Sequence, residues 1–242
     1  MKFGDFYNLA KLGGEGWGTA YEYRVKWEVL EKFFGERRIE RVLIAGLPEK
    51  YGLSMDFLAW VRMKKAKVVV LDEREEKVER LKRVVRKEWP DFRKWIDIKC
   101  RSMLTIDTVG RFDLVLSCEV LQRILKSDRE KFLKKCLMAA KRGAFFVPNK
   151  ENENHAKISG LETLSLEEFF ELASKAGLDK LEEGYIDMPP FAPGVRLEEK
   201  QRENRVLGAA LSVGLEVWAR MERYFPEGFK KKKSHLVYAV LK

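Results

Sequence analysis

Short apolar runs alternate with charged stretches of helical spacing along most of this chain, and this alternation limits its possible folds. The runs RVLIAG at 41–46 and KVVVLD at 67–72 are rich in β-branched residues, and each is followed by a stretch with helical spacing. Three further runs, at 96–100, 112–117 and 144–147, continue the pattern. Repeated strand–helix units predict an α/β fold whose parallel sheet has helices on both faces.

The end of the chain departs from this alternation. Apolar runs at 181–186 and 235–241 predict two more strands. Residues 188–233 lie between them and are too many for a simple connection, so we predict an insertion or lid with a long helix around 206–225. We therefore predict a single domain of four parts: an N-terminal arm and helix (1–40), a Rossmann-like core (41–187), the helical insertion (188–233) and the last strand (234–242).

Local signals place several helix boundaries. Glycines and aromatic side chains fill residues 1–20, which we expect to form an irregular arm or lid before a helix over 21–34. Two serine–glutamate pairs match the capping box that opens a helix, Ser127 with Glu130 and Ser165 with Glu168.

The charged residues bear on partners rather than on fold. The formal charge is +10 and 36% of the residues are charged, against roughly a quarter in an average globular chain. Only two glutamines occur. This composition is typical of thermophilic proteins, in which ion pairs gain value and thermolabile amides are rare. The positive charge also suits a nucleic acid or another anionic partner.

Cysteine usage and the first residues point to the cytoplasm. The three cysteines, Cys100, Cys118 and Cys136, form no CxxC pair, which argues against a disulfide framework or a zinc ribbon. We therefore predict no metal site. The N-terminus lacks the long apolar segment of a signal peptide, and no apolar run reaches the ~20 residues of a membrane-spanning helix. We expect a cytoplasmic protein without membrane partners.

The turn after the first strand indicates a ligand site. Gly46 ends that strand, where it lets the backbone turn sharply toward a ligand, and the next helix offers its N-terminal amides. Asp72 ends the second strand and can accept both hydroxyls of an adenosine ribose. Pro48 has no N–H and the three-glycine fingerprint is absent, which disfavours a pyrophosphate cofactor. A Walker A loop is also absent from the sequence.

Taken in order, these segments resemble the class I S-adenosylmethionine-dependent methyltransferases. RVLIAGLPEKYG stands where that family has its first glycine-rich motif, with only Gly46 matching the glycines, and VVVLDERE matches the second motif. CRSMLTI resembles the segment that brackets the adenine, and FDLVLSCEVLQRI resembles the motif beside the methionine part of the cofactor. KRGAFFVPN and LSLEEFFELASKAGL resemble the fifth strand and the helix that follows it.

The resemblance implies a doubly wound, mostly parallel sheet of seven strands with an antiparallel last strand, and S-adenosylmethionine as cofactor. It places these residues at the cofactor: Gly46, Leu47, Pro48, Asp72, Glu73, Ser102, Met103, Ser117 and Cys118. Cys118 is expected to line the pocket rather than act as a nucleophile, because the Pro–Cys motif of cytosine-C5 methyltransferases is replaced here by Ser–Cys.

The polar segment VPNKENENHAKISG follows the fifth strand, where members of this family often contact substrate. It holds His155, one of two histidines, a residue type whose unperturbed pKa suits a general base. We predict that His155 is the catalytic base or a substrate contact, that Asn149 orients the substrate, and that Tyr21 stacks on the acceptor. A histidine that only satisfies its loop and an asparagine that only makes a turn are the alternatives.

Three functions remain open on the sequence alone. A small-molecule methyltransferase is favoured by the aromatic N-terminal arm and by the insertion. A tRNA or rRNA methyltransferase is favoured by the positive charge and by the run Lys230–Lys233, although no RNA-binding module is recognisable. The third is a non-catalytic S-adenosylmethionine-binding protein, because the glycine motif is reduced to Gly46. The insertion also offers a face for a homodimer.

Overall fold

The strands form one seven-stranded sheet. A computed structural model describes residues 1–50, 52–108, 110–191 and 205–242, and for 107, 108 and 205–207 it describes the backbone alone. The sheet order is β3-β2-β1-β4-β5-β7-β6. The strand bounds are β1 Arg41–Ala45, β2 Lys67–Asp72, β3 Ile96–Cys100, β4 Leu114–Cys118, β5 Gly143–Pro148, β6 Lys180–Ile186 and β7 Leu236–Leu241.

Helices cover both faces of this sheet. In the described ranges they are α1 Phe3–Leu12, α2 Trp17–Phe34, α3 Met55–Met63, α4 Glu75–Glu88, α5 Arg129–Ala139, α6 Glu153–Ser159, α7 Leu166–Lys175, α8 Arg205–Glu222 and α9 Glu227–Lys233. Apolar side chains of α1 to α4 bury one face of the sheet, with Trp60 and Phe57 fully enclosed. Those of α5 and α7 bury the other face around Phe145 and Phe169. The predicted fold class is confirmed.

The strand register brings the carboxyl ends of the parallel strands to one edge. β1 pairs in parallel with β2 through Ala45 and Leu71, and with β4 through Ile44 and Leu116. The order of the strands reverses between β1 and β4, which is where open α/β sheets bind ligands. β7 runs antiparallel to both β5 and β6, as expected for the last strand.

The first residues are helical, so the expectation of an irregular arm over 1–20 was wrong. α1 buries Phe3, Phe6, Leu9 and Ala10, which recur at the three- and four-residue spacing of one helix face. The glycines that suggested irregularity lie after the helix, where Gly13 and Gly14 end it. α1 and α2 together form a helical cover on the sheet.

The two predicted capping boxes had different outcomes. Ser165 Oγ accepts a hydrogen bond from the backbone N–H of Glu168 at 3.0 Å, and the Glu168 carboxylate accepts from the N–H of Ser165 at 2.8 Å, so this box is confirmed. Ser127 forms no box, because α5 begins only at Arg129. There the buried Arg129 guanidinium donates to the carbonyl oxygens of Ile124 and Gln122 and fixes the start of the helix.

The helical part of the insertion packs on the N-terminal helices. α8 buries Leu215 and Ala219, and the guanidinium of Arg24 on α2 pairs with the carboxylate of Glu216 at 2.9 and 3.0 Å. The predicted helix around 206–225 is therefore present, while residues 192–204 of the insertion lie outside the described residues. Within the described chain, no helix combines the length and apolarity needed to cross a bilayer.

Candidate active site

The turn after β1 requires glycine. Gly46 has φ +89°, in the left-handed region, and its N–H donates to the carbonyl oxygen of Leu71 at 2.8 Å. A Cβ placed on Gly46 would lie 2.5 Å from Cγ2 of Val120, which follows β4. The backbone of β1 and the loop after β4 therefore approach each other closely at the switch point of the sheet.

Asp72, at the end of β2, is fully buried and its two carboxylate oxygens are occupied. Oδ2 accepts from the N–H of Leu47 at 2.7 Å and from the Arg123 guanidinium at 2.9 Å. Oδ1 accepts from the Arg74 backbone N–H at 2.9 Å and from its Nε at 2.8 Å. Burial opposes ionisation, but the hydrogen bonds from Arg74 and the charge of Arg123 hold the pKa of Asp72 below its ordinary value.

Two arginines close this end of the sheet. Arg74 also donates to the carbonyl oxygens of Leu47, Pro48 and Glu49, at 2.7, 3.1 and 2.9 Å, and so ties the turn after β1 to β2. Arg123 comes from the turn after β4 and bridges Asp72 to Glu73. The acid predicted to hold a ribose is therefore covered by the protein's own cations.

The segment predicted to bracket an adenine lies beside β2. Met103 is buried and belongs to the same apolar cluster as Leu71, and its backbone N–H donates to Glu73 Oε2 at 3.3 Å. Ser102 is exposed, and its hydroxyl accepts from the N–H of Leu104 at 3.3 Å. Glu73, Ser102 and Met103 thus lie together at the edge next to Asp72.

Ser117 and Cys118 end β4 and contact different partners. The Ser117 hydroxyl donates to the carbonyl oxygen of Ala45 at 2.9 Å and joins β4 to β1. Cys118 Sγ lies 3.4 Å from Nζ of Lys26 on α2. Burial raises the pKa of the Cys118 thiol well above its ordinary value, so the thiol stays protonated and is a poor nucleophile.

Four carboxylates gather where β4 and β6 end, and we call them the acid cluster: Glu22, Glu119, Asp187 and Glu222. Glu119 follows β4 directly and Asp187 follows β6, both with positive φ, 52° and 71°. Glu22 comes from α2 and Glu222 from the last turn of α8. Glu119, Asp187 and Glu222 are at most 8% exposed.

Three members of the acid cluster, Glu119, Asp187 and Glu222, have a raised pKa. Burial, then repulsion from Glu22 and Asp187, raises the pKa of Glu119 to about 8. Burial and Glu22 raise the pKa of Asp187. Burial raises the pKa of Glu222 to about 7, although its carboxylate accepts hydrogen bonds from the Tyr21 hydroxyl and the Met188 N–H. Repulsion between neighbouring carboxylates adds to the effect of burial.

Lys26 is the buried cation of this region. Its ammonium lies 2.6 Å from Glu22 Oε1 and 3.1 Å from Asp56 Oδ2, with no exposure of its own side chain. Burial works against the charged form, but Asp56 and Glu22 keep the pKa of Lys26 well above its ordinary value. Desolvation in turn raises the pKa of Asp56 to about 6.

His155, predicted as a base, stacks on His235 with ring centroids 3.9 Å apart. His235 Nδ1 lies 3.1 Å from Asp187 Oδ2, so the stack borders the acid cluster. Burial, then the neighbouring His235, lowers the pKa of His155 to about 3, and burial lowers that of His235 to about 4. Both rings are neutral at pH 7, and His155 is a weak proton acceptor in this arrangement.

The other two predicted acceptor-side residues are engaged inside the protein. The Asn149 side chain is fully buried and donates to the carbonyl oxygens of Lys231 and Ser234, at 2.8 and 2.9 Å, at the C-terminal end of α9 before β7. This matches the alternative of a turn-forming asparagine. The Tyr21 ring is also buried, and its hydroxyl donates to Glu222 rather than pointing to solvent.

Sequence reasoning missed the residues that dominate the site electrostatically. Arg123 and Glu119 lie within FDLVLSCEVLQRI, where the family pattern drew attention to the strand end instead. Asp187 carries a positive φ after a strand, a position that sequence does not reveal for aspartate. Tyr21 and Glu222 are 201 positions apart, so no local pattern could have joined them.

Comparisons with solved structures match this architecture at low identity. The [4+2]-cyclase SpnF covers 98% of this chain and 93% of its own, with a TM-score of 0.60 at 15% identity. The methyltransferase domain of bacterial CtHen1-CN covers 93% of this chain and 99% of its own, with a TM-score of 0.59 at 15% identity. A SAM-dependent methyltransferase from Archaeoglobus fulgidus covers 90% of this chain and 93% of its own, with a TM-score of 0.56 at 10% identity. No family model matches the chain, and no curated protein matches it in sequence.

These likenesses extend over nearly the whole chain. At such identity they establish architecture. The chain therefore has the fold of the class I S-adenosylmethionine-dependent methyltransferases.

Proposed function

We propose that this protein is an S-adenosylmethionine-dependent methyltransferase that acts on a small molecule. The observation that carries the proposal is the pairing of the Gly46 turn with the buried carboxylate of Asp72 at the switch point of the sheet. An acid at the end of the second strand is the group that recognises a nucleoside ribose in doubly wound folds. Glu73, Ser102 and Met103 lie beside it as the adenine side.

The side chains at this site have the chemistry needed to bind a nucleoside, once Arg123 has moved away from Asp72. Asp72 is bound by Leu47, Arg74 and Arg123, and Arg123 is the only one of the three that comes from another strand end and also covers Gly46. Ribose hydroxyls are donors, as the guanidinium is, so they can replace it on the carboxylate. In the proposed complex Arg123 leaves Asp72 and keeps its ion pair with Glu73.

Bound S-adenosylmethionine supplies an activated methyl group, so the protein itself needs little acid–base apparatus. Its residues have to hold the acceptor in line, exclude water and take one proton from it. We assign the proton acceptance to the acid cluster rather than to His155. Glu119, with a pKa of about 8, is the better base of the two near neutral pH.

A small acceptor is favoured over RNA by charge and enclosure. The acid cluster lies at the proposed acceptor side and repels a polyanion, whatever the net charge of the whole surface. Tyr21 with Glu222, and Arg24 with Glu216, join α2 to α8 across this side. We keep cytoplasmic location as part of the proposal, since the three thiols are free.

One observation favours a second candidate, a protein of this fold that no longer uses S-adenosylmethionine. The carboxylate oxygens of Asp72 are already satisfied by internal donors at 2.7 to 2.9 Å. A neighbour described as a cyclase also shares the fold, so the fold by itself does not fix the chemistry.

Calorimetry separates the two candidates. S-adenosylmethionine and S-adenosylhomocysteine are titrated into the folded wild type and into Asp72→Ala, Asp72→Asn and Arg123→Ala, with circular dichroism to verify folding. Micromolar binding by wild type that both Asp72 variants lose supports the methyltransferase. Failure of wild type and of Arg123→Ala to bind either ligand overturns it and supports the second candidate. Salt-sensitive binding of bulk tRNA with no small acceptor would instead favour an RNA substrate.

A further inference from the structure

We propose that the acid cluster is the binding site of a small primary or secondary amine, and that this amine is the methyl acceptor. The inference rests on the proposed function for the methyl-transfer step. The binding of the amine itself does not depend on the cofactor, and it can be measured separately.

The charge of this region is unbalanced without a ligand. Among the described residues, the one buried ammonium is that of Lys26, and it pairs with Glu22 and Asp56. No lysine or arginine ion pair balances the buried carboxylates of Glu119, Asp187 and Glu222 in the described part of the chain. The two histidines at its border are neutral at pH 7, because burial lowers the pKa of each. Buried carboxylates that lack partners are costly, so a region like this is completed either by protons or by a bound cation.

Unused hydrogen-bond acceptors distinguish a bound cation from protonation alone. Within the described part of the chain, Glu119 Oε2, Asp187 Oδ1 and Glu222 Oε1 are buried and have no hydrogen-bond partner. A proton on one of these groups supplies a single O–H donor and therefore satisfies at most one neighbouring oxygen. An alkylammonium brings two or three N–H donors to the same place and satisfies several of these oxygens at once.

The position of the cluster suits an acceptor. Glu119 directly follows Cys118, the last residue of β4, and it is only four residues before Arg123. The charge of Glu49, in the turn after β1, also contributes to the raised pKa of Glu119. The cluster therefore lies at the same edge of the sheet as Asp72, while Asp187 and Glu222 extend it away from Asp72 along that edge toward β6 and α8.

Methyl transfer to the bound amine conserves atoms, electrons and charge. The bound ammonium gives one proton to a carboxylate of the cluster, which frees the nitrogen lone pair. That lone pair forms the N–C bond to the donated methyl group as the C–S bond breaks, and the bond's electron pair stays on sulfur. A sulfonium and a neutral amine become a thioether and an ammonium, so the positive charge ends on the product nitrogen beside the carboxylates.

The test is binding of matched amines and alcohols without cofactor. Butylamine and 1-butanol, and benzylamine and benzyl alcohol, are titrated calorimetrically into wild type at pH 8. We expect at least one amine to bind at least tenfold more tightly than its alcohol. Asp187→Asn should weaken binding of that amine at least tenfold. Asparagine is chosen because it keeps the size of aspartate and tolerates the positive φ. Glu182→Gln, on β6 and paired with Lys32, is the control and should bind like wild type.

Each outcome decides one of the two proposals. The amine site is wrong, while the methyltransferase proposal is unaffected, if neither amine binds more tightly than its alcohol. The same follows if Asp187→Asn weakens the binding of S-adenosylmethionine and not that of the amine. If the amine binds and S-adenosylmethionine does not, the methyltransferase proposal fails while the cation site stands. The comparison of amine with alcohol uses wild type alone, so it remains decisive even if a variant does not fold.

Discussion

At the scale of single residues, the site is governed by competition for Asp72. This carboxylate is buried and it accepts hydrogen bonds from Leu47, Arg74 and Arg123. Leu47 lies in the turn after β1 and Arg74 in the turn after β2, whereas Arg123 reaches Asp72 from the loop after β4. A ligand that needs the carboxylate therefore competes with one guanidinium in particular.

We predict that Arg123→Ala binds S-adenosylmethionine more tightly than wild type, by roughly tenfold, which corresponds to about 1.4 kcal/mol. The reason is that the ligand no longer displaces an ion pair from Asp72. Calorimetry of both proteins gives the comparison. Arg111→Ala, at an exposed position that contacts the end of α5, serves as control and should not change the affinity. Weaker binding by Arg123→Ala would show that the guanidinium contacts the ligand.

A second prediction concerns stability and pH. The pKa of Glu119 is raised to about 8 in the folded protein, above its unfolded value, so its contribution to stability is present at low pH and is lost as pH rises through 8. Glu119→Gln removes this loss. We expect the free energy of unfolding of the variant to exceed that of wild type by at least about 1 kcal/mol at pH 9 and to match it near pH 5. The reason is that a pKa difference of one unit between the folded and unfolded states corresponds to about 1.4 kcal/mol.

Urea unfolding at both pH values measures this difference. Glu171→Gln, which changes an exposed glutamate on α7, should show little difference from wild type at either pH. An equal change for Glu119→Gln at pH 5 and pH 9 would mean that the carboxyl is not held in its protonated form by its surroundings.

At the scale of elements, the turn after β1 links the first strand to the loop after β4. Glycine is the only residue type that fits position 46, because φ is positive there and a Cβ would lie 2.5 Å from Cγ2 of Val120. Any side chain at this position would push the loop that carries Glu119 and Arg123. The backbone at Gly46 therefore sets the spacing of the site.

We predict that Gly46→Ala lowers the free energy of unfolding by about 1–3 kcal/mol, the usual cost of a non-glycine residue in this region. Val120→Ala in the same chain should recover part of the loss, since it removes the Cγ2 atom that the new Cβ meets. Gly214→Ala, in the open middle of α8, is the matched control and should stabilise by about 0.5–1 kcal/mol. Chemical denaturation measures the free energy of unfolding of all three variants. A value for Gly46→Ala equal to that of wild type would show that position 46 does not require glycine.

The elements themselves were predictable because local sequence determines them. β1, β2 and β4 are buried on both faces, and their runs of apolar residues mark them without reference to any other part of the chain. α1 was missed because several glycines follow it closely and its buried aromatic residues were interpreted as an arm. The acid cluster could not be predicted, since α2, β4, β6 and α8 contribute its members and only the tertiary fold brings them together.

At the scale of the whole molecule, burial divides the three thiols. Cys100 is exposed at the end of β3, while Cys118 and Cys136 are buried on opposite faces of the sheet. Burial also raises the pKa of both enclosed thiols. Reaction at Cys118 and Cys136 therefore requires opening of the core, and it reports on the global stability of the fold.

We predict that a chromogenic disulfide reagent modifies one thiol of the native protein rapidly and all three in denaturant. Cys100→Ser should abolish the rapid phase and leave the slow phase unchanged. Rapid modification of a second thiol in the native protein would place Cys118 or Cys136 in reach of solvent, in conflict with the packing of α2 or α5 against the sheet.

The arrangement at Asp72 also has a consequence for kinetics. Entry of a nucleoside is an exchange of partners rather than the filling of a vacant place, because Arg123 has to leave the carboxylate first. The observed association rate should then rise with ligand concentration and level off at the rate at which the guanidinium departs. A protein built in this way would limit its own turnover at cofactor entry, at a speed set by one side chain after β4.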